Sequence, residues 1–289
     1  MATREKIYSD QATPPGESLA ELLEVLGISQ RELAVRSGRP EQAISEIING
    51  KKAITAETAL QLEKVLGTPS SFWVNLESRY QETLARIRET AELAEQEAQL
   101  DAFPIREMKQ RGLLPDTRDK GALLKGLLGF LGVASFDALE ARQAGVLGYR
   151  VTPAARVSPG ALFVWMREGE LAAAEIKTQP YDQRRFMLAL RELRALTIEE
   201  SWPVAYSRMV EVCAGAGVAL VITRSYPKSG ASGVARWLAA DKAMIQLSTR
   251  RNYVDMFWFS LFHEAKHVLA RQKRRVFVND INDQDDEEA

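Results

Sequence analysis

The chain has 289 residues, 46% of them hydrophobic, with 38 basic against 39 acidic side chains and a formal net charge of −1. That length fits one large domain or two to three small ones, and the near-zero charge excludes nucleic-acid binding through a global basic excess, so any such contact must be a local patch. The single cysteine excludes an internal disulfide framework. The opening MATREKIYSD lacks the apolar core of a secretory signal, and no apolar run is expected to reach the ~20 residues of a membrane helix. The expectation is a soluble cytoplasmic protein with no membrane partner.

After the Pro/Gly-rich leader QATPPGES, helical period begins. SLAELLEVLG sets Leu19, Leu22, Leu23 and Leu26 on one face and stops at Gly27. In SQRELAVRSG, Ser29 and Glu32 have the spacing of a capping box, and Gly38 closes the helix. RPEQAISEIING follows, with Pro40 at its start and Gly50 past its end. TAETALQLEKVLG predicts a fourth helix, and a long one is expected to begin at Thr68-Pro69.

Short helices with a Gly turn between the second and third have the pattern of a helix-turn-helix. The second must brace the third, so Leu33, Ala34, Ile44 and Ile47 are expected to face inward. The third must offer polar side chains to base edges. Those are Gln42, Ser45 and Glu46, with Arg39 just before them. Gln pairs with adenine and Glu accepts from the cytosine amine. Asn49, Lys51 and Lys52 suit phosphate, and Gln30 is placed to reach the backbone. The competing reading is a small helical domain that uses the same fold for protein contacts.

The stretch GISQRELAVRSGRPEQAISEIINGKKAITAETALQLEKVLG closely resembles Xre-type helix-turn-helix regulators, specifically HigA-type addiction-module antidotes, over roughly Pro14 to Arg86. The resemblance implies a lambda-repressor-like bundle over 14–90. It implies binding of operator DNA as a homodimer, and a cognate toxin as partner.

The middle carries further helical period. ARIRETAELAEQEAQLDAF is Ala/Glu-rich and reads as a solvated or dimer helix. Trp165 and Met166 read as core, and the pairs Lys109/Arg111 and Arg184/Arg185 as solvated faces. Residues 91–200 form, on this reading, a helical connector and a candidate dimerisation region, ending near Ser201-Trp202-Pro203.

From there the pattern changes. YSRMVEVCAGAG predicts a helix with a buried Cys213, VALVITRS a strand, and SGVARWLAADKAMIQLST two strands joined at AADK. Helical period returns in NYVDMFWFSLFHEAKHVLARQ, which holds both histidines of the chain. His263 and His267 lie one turn apart on one face, opposite an apolar arc of Trp258, Leu261, Phe262, Ala265, Val268 and Leu269. This spacing lets two imidazoles grip one tetrahedral ion, with Glu264 projecting from the adjacent face as general base, the pattern H-E-x-x-H. The competing reading is a surface helix with an i,i+4 histidine pair.

The wider stretch from SGVARWLAADKAMIQLST to the end looks like the ImmA/IrrE family of metallopeptidases, fused behind a HigA-type domain. The resemblance implies a gluzincin-like minidomain over 201–289 and a Zn2+ held by His263, His267 and a later carboxylate. DDEEA matches the start of the motif that supplies that ligand, making Glu288 the candidate with Glu287 beside it. The chain stops at Ala289, where the ligand helix is expected to begin, so the domain reads as incomplete. Lys266 stands where the family carries glycine. The acidic tail NDINDQDDEE reads as solvated chain. It lacks the glycine that a calcium loop needs.

The expected fold is mainly α with a C-terminal α+β part: helix-turn-helix bundle, helical connector, and minidomain with a small sheet. The expected function is a DNA-binding regulator whose peptidase-like domain senses a signal or cleaves a regulatory protein. The alternatives are an antitoxin with an inactive peptidase-like domain, and an active zinc endopeptidase that cleaves a repressor.

Overall fold

The structure is a computed structural model that describes residues 11–147, 158–249, 254–271 and 277–279. It divides into two compact units, Met1–Gln96 and Glu97–Ala289.

The first unit is helical. Helix α1, Pro15–Leu26, starts on its proline and ends at Gly27 in the left-handed region. Helix α2, Gln30–Ser37, is capped by Ser29, whose hydroxyl accepts from the Glu32 amide at 3.1 Å. Only this half of the expected capping box forms, because the Glu32 carboxylate pairs with Arg36 instead. Gly38, at φ 66, turns the chain into α3, Glu41–Ile48. Helix α4, Ala56–Leu66, is capped by Thr55, and α5 runs Ser70–Ala94. Leu19, Leu23, Leu33, Ala34, Ile44, Ile47, Ile54, Ala59, Leu62 and Trp73 form one core. Leu26, expected on the inner face of α1, is instead 45% exposed, because the helix ends there at the glycine turn. Helix α1 crosses α3 closely. A Cβ on Gly16 would stand 2.1 Å from the Ile47 carbonyl oxygen, so only glycine fits the crossing.

The second unit begins with a 3-10 turn, Glu97–Ala102, then α6 Ile105–Gln110, α7 Lys120–Leu131, α8 Phe136–Leu147, α9 Pro159–Glu175, α10 Gln183–Ala195 and α11 Trp202–Gly215. Strands β1 Val218–Thr223, β2 Gly233–Ala239 and β3 Lys242–Ser248 follow, then α12 Val254–Leu269 and β4 Phe277–Asn279. The sheet order is β1-β3-β2-β4, with β1 parallel to β3 and the other pairs antiparallel.

The alternation of side chains across the sheet divides its neighbours. Val218, Leu220, Ala235, Ala243, Ile245 and Leu247 face a core shared with Phe186, Leu193, Met209, Cys213, Trp258, Leu261, Ala265 and Val268 of α10, α11 and α12. On the other face lies α9, where Gln246 of β3 donates to the Trp165 carbonyl at 2.7 Å and Gly169 leaves room for its amide. Helices α9 and α10 therefore do not form a free-standing connector; they are layers on the sheet.

Three further expectations are corrected. The 23-residue stretch Lys120–Arg142 is long and apolar enough to cross a membrane by length and composition. The chain nevertheless breaks at left-handed Gly132, and Leu123, Leu124, Leu127, Leu128 and Leu131 are buried. Arg111 is no solvated residue. It pairs with Glu168 at 2.8 Å, donates to the Arg224 and Ser225 carbonyls at 2.9 Å, and covers the Tyr226 ring at 3.7 Å. Lys109 likewise donates to the Thr117 carbonyl.

One polar cluster stitches the layers together. Glu170 of α9 accepts from Arg142 at 3.1 Å, from Arg167 at 2.8 Å and from Arg236 of β2. Arg142 and Arg167 also donate to the Leu131 and Phe130 carbonyls, which terminate α7. Cations suit that end of a helix, where carbonyls lack intrahelical partners.

Candidate nucleic-acid interface and candidate metal centre

Leu33 and Ala34 of α2 pack on Ile44 and Ile47 of α3, all four at most 4% exposed. This fixes α3 and leaves Gln42 outside. Its side chain does not stand alone. Gln42 Nε2 donates to Glu46 Oε1 at 2.9 Å, one turn on, and Glu46 Oε2 lies 3.9 Å from Lys52 Nζ. Asn49 Nδ2 donates to the Ser45 carbonyl at 2.7 Å and to its hydroxyl at 3.3 Å. Gln30, Asn49, Lys51 and Lys52 are exposed.

Arg39 is placed differently from the rest. Its Nε donates to Gln61 of α4, its guanidinium is 4.0 Å from Glu57, and its side chain is only 17% exposed. It ties the turn before α3 to α4. The sequence pointed it outward because Gln61 lies 22 positions away and its pairing has no local signature.

In the second unit, α12 carries the histidines on a half-buried stripe, while Trp258, Leu261, Ala265 and Val268 are buried. His263 Nε2 and His267 Nε2 are 3.1 Å apart. Two metal–nitrogen bonds of zinc length at a tetrahedral angle put the nitrogens about 3.3 Å apart, so the pair fits a shared ion with little adjustment. Burial first, then the positive charge of His263 and Lys266, pushes His267 down to about 4. Its imidazole is therefore neutral at pH 7, the state that offers a lone pair.

Glu264 does not project outward. It is 1% exposed and lies under the sheet. A Cβ on Gly233 of β2 would come within 2.9 Å of Glu264 Cγ and 3.0 Å of its Oε1. Gly233 is thus a site residue that the motif did not reveal; its only sequence signal is a small residue opening a strand. Phe259 is a second. It is 58% exposed, one turn before His263, with ring centroids 6.1 Å apart. Lys266, at the motif's fourth position, points its side chain to solvent. Among the described residues no group of three or more His, Cys, Asp or Glu side chains gathers. The candidate third ligands, Glu288 and Glu287, lie outside the described residues.

A family model described as helix-turn-helix matches residues 12–73. Among curated relatives, the "Uncharacterized HTH-type transcriptional regulator YddM" of Escherichia coli (strain K12) is 31% identical over 80 residues, which span 28% of this chain and 83% of the relative. "Antitoxin HigA-1" of Vibrio cholerae is 36% identical over 77 residues, spanning 23% of this chain and 72% of the relative. A solved addiction-module antidote of the HigA family from Coxiella burnetii is 36% identical over 29% of this chain and 94% of its own, with a TM-score of 0.28. The first unit is a helix-turn-helix domain. Through it the chain belongs to the Xre-like helix-turn-helix family, with HigA-type antitoxins among its relatives.

Proposed function

We propose that the protein is a HigA-like transcriptional regulator that binds operator DNA as a homodimer through residues 14–90, in the cytoplasm. The observation that carries this is the braced helix α3. Its inner residues are locked by α2, and its outer Gln42, Ser45, Glu46 and Asn49 are followed by Lys51 and Lys52. Gln30, at the start of α2, adds a donor suited to phosphate. Arg39 supports the turn rather than the base contacts. The test is binding of the full chain to duplex DNA from its own promoter across a salt series. Affinity is expected to fall linearly with salt on logarithmic axes. Gln42→Ala and Ser45→Ala should each weaken it about tenfold. Binding indifferent to both changes would refute this docking.

A second reading concerns residues 201–289, favoured by the 3.1 Å histidine pair and the buried Glu264. On this reading residues 201–289 form a gluzincin-like domain of the ImmA/IrrE type. His263 and His267 would hold Zn2+ together with Glu288. Bound zinc lowers the pKa of a water toward neutrality. Glu264 would take up a proton on its carboxylate and return it to a leaving amine. Gly233 of β2, which lacks a side chain, leaves the room that the buried Glu264 side chain occupies. A regulatory protein, or a toxin captured by an antitoxin, is the partner class. Proteolysis of such a partner that survives Glu264→Gln would refute this mechanism, and no proteolysis by the wild type would leave an inactive domain with an antitoxin role.

A further inference from the structure

We infer that Glu46 is a positioning residue that orients the Gln42 amide for adenine and does not itself read a base; this rests on the operator-binding reading above. A glutamine amide presents a carbonyl oxygen at one end and two N–H donors at the other. A free exposed glutamine rotates and offers either end. Gln42 is not free, because the Glu46 carboxylate, one turn on, accepts from Nε2 at 2.9 Å. A carboxylate can only accept, so the reversed amide would set oxygen against oxygen. The amide is therefore locked in one sense. One Nε2 hydrogen is used on Glu46. The carbonyl oxygen and the second Nε2 hydrogen remain, and together they match the N6 donor and N7 acceptor of adenine.

The same geometry argues against Glu46 as the reader of cytosine. Its Oε1 faces Gln42 and its Oε2 faces the Lys52 ammonium at 3.9 Å. Both oxygens serve neighbours on the protein. Lys52 also offsets the charge that a carboxylate would otherwise bring close to phosphates. An acidic residue on a reading helix is thereby made compatible with DNA.

The test is selection from a randomised duplex library by the full chain and three variants, Gln42→Ala, Glu46→Ala and Glu46→Gln. The wild type is expected to enrich adenine at one position in each half-site. Glu46→Gln presents a donor as well as an acceptor, so it no longer fixes one sense of the amide and should lower that enrichment. Glu46→Ala should lower it about tenfold, Gln42→Ala should abolish it, and all four proteins should still retain random duplex at low salt. A loss of helix stability alone would lower all binding and leave the base preference unchanged. Undiminished adenine preference in Glu46→Ala overturns the inference. So does a cytosine preference that disappears in both Glu46 variants, which would make Glu46 the reader. Salt-dependent binding with no base preference overturns the inference alone, while a wild type that retains no duplex at any salt overturns the operator reading with it.

Discussion

Arg39 shows how a single side chain changes role once its neighbours are known. Its bond to Gln61 ties the turn before α3 to α4, with most of the side chain covered. Arg39→Ala is therefore expected to cost about 1–2 kcal/mol of domain stability. Affinity for random duplex should fall little once the fraction folded is accounted for. Urea unfolding and a binding isotherm separate the two, and an unchanged midpoint would show that the tie carries no energy. Gly233 makes the complementary case in the second unit. Gly233→Ala forces a methyl group against the buried Glu264 side chain. Overpacking of this kind costs about 1–3 kcal/mol, so the urea midpoint should drop, and an unaltered midpoint would refute the close approach. Cys213 is buried in the sheet core, and burial pushes its thiol up to about 12. At pH 8 it should react with an aromatic disulfide reagent only after denaturation, because the thiolate is the nucleophile; fast labelling of the native protein would contradict the packing. The Ser29 cap was legible in the sequence because a cap needs only neighbours. Arg39 and Glu264 were not, since their partners lie 22 and 31 positions away and leave no local periodicity.

Among the elements, the crossing of α1 and α3 carries the sharpest constraint. The helix boundaries were readable because left-handed glycines at 27, 38 and 67 end three helices, and apolar spacing named the core. The crossing distance was not readable, because Gly16 sits in a leader that looks like ordinary Pro/Gly coil. Gly16→Ala puts a Cβ 2.1 Å from a main-chain oxygen that cannot rotate away. The helices must separate, and a loss of about 2–3 kcal/mol follows. Operator affinity should fall with it, because α3 loses the support that holds Gln42 outward. The outcome that would count against this is a full-strength DNA complex with an unshifted thermal midpoint. Helices α9 and α10 teach the same lesson from the other side. Their periodicity correctly marked helices, yet periodicity carries no address. Only β1, β2 and β3, assembled from residues 218–248, show where those helices pack.

At the level of the whole chain, two units with separate cores predict that ligands of one need not stabilise the other. The first core is built from α1 to α5, the second around the sheet and α12. A ligand that binds only the native form stabilises by RT ln(1 + [L]/Kd), about 2.7 kcal/mol at a hundredfold excess over Kd. If His263 and His267 share an ion, zinc should raise one calorimetric transition by several degrees and leave another in place. His267→Ala should abolish that shift without altering the unshifted transition or DNA affinity. The apo protein adds a pH signature whose sign is fixed. His267 is pushed below its ordinary value in the fold, so the unfolded chain binds its proton first. Its contribution is fully present above about 6.5 and is lost as pH falls toward about 4. Zinc, which needs the neutral imidazole, should delay that loss. Equal acid sensitivity of the second transition with and without zinc, in a wild type that shows no thermal shift, would mean that the histidine pair is a feature of a half-buried helix face and binds no ion.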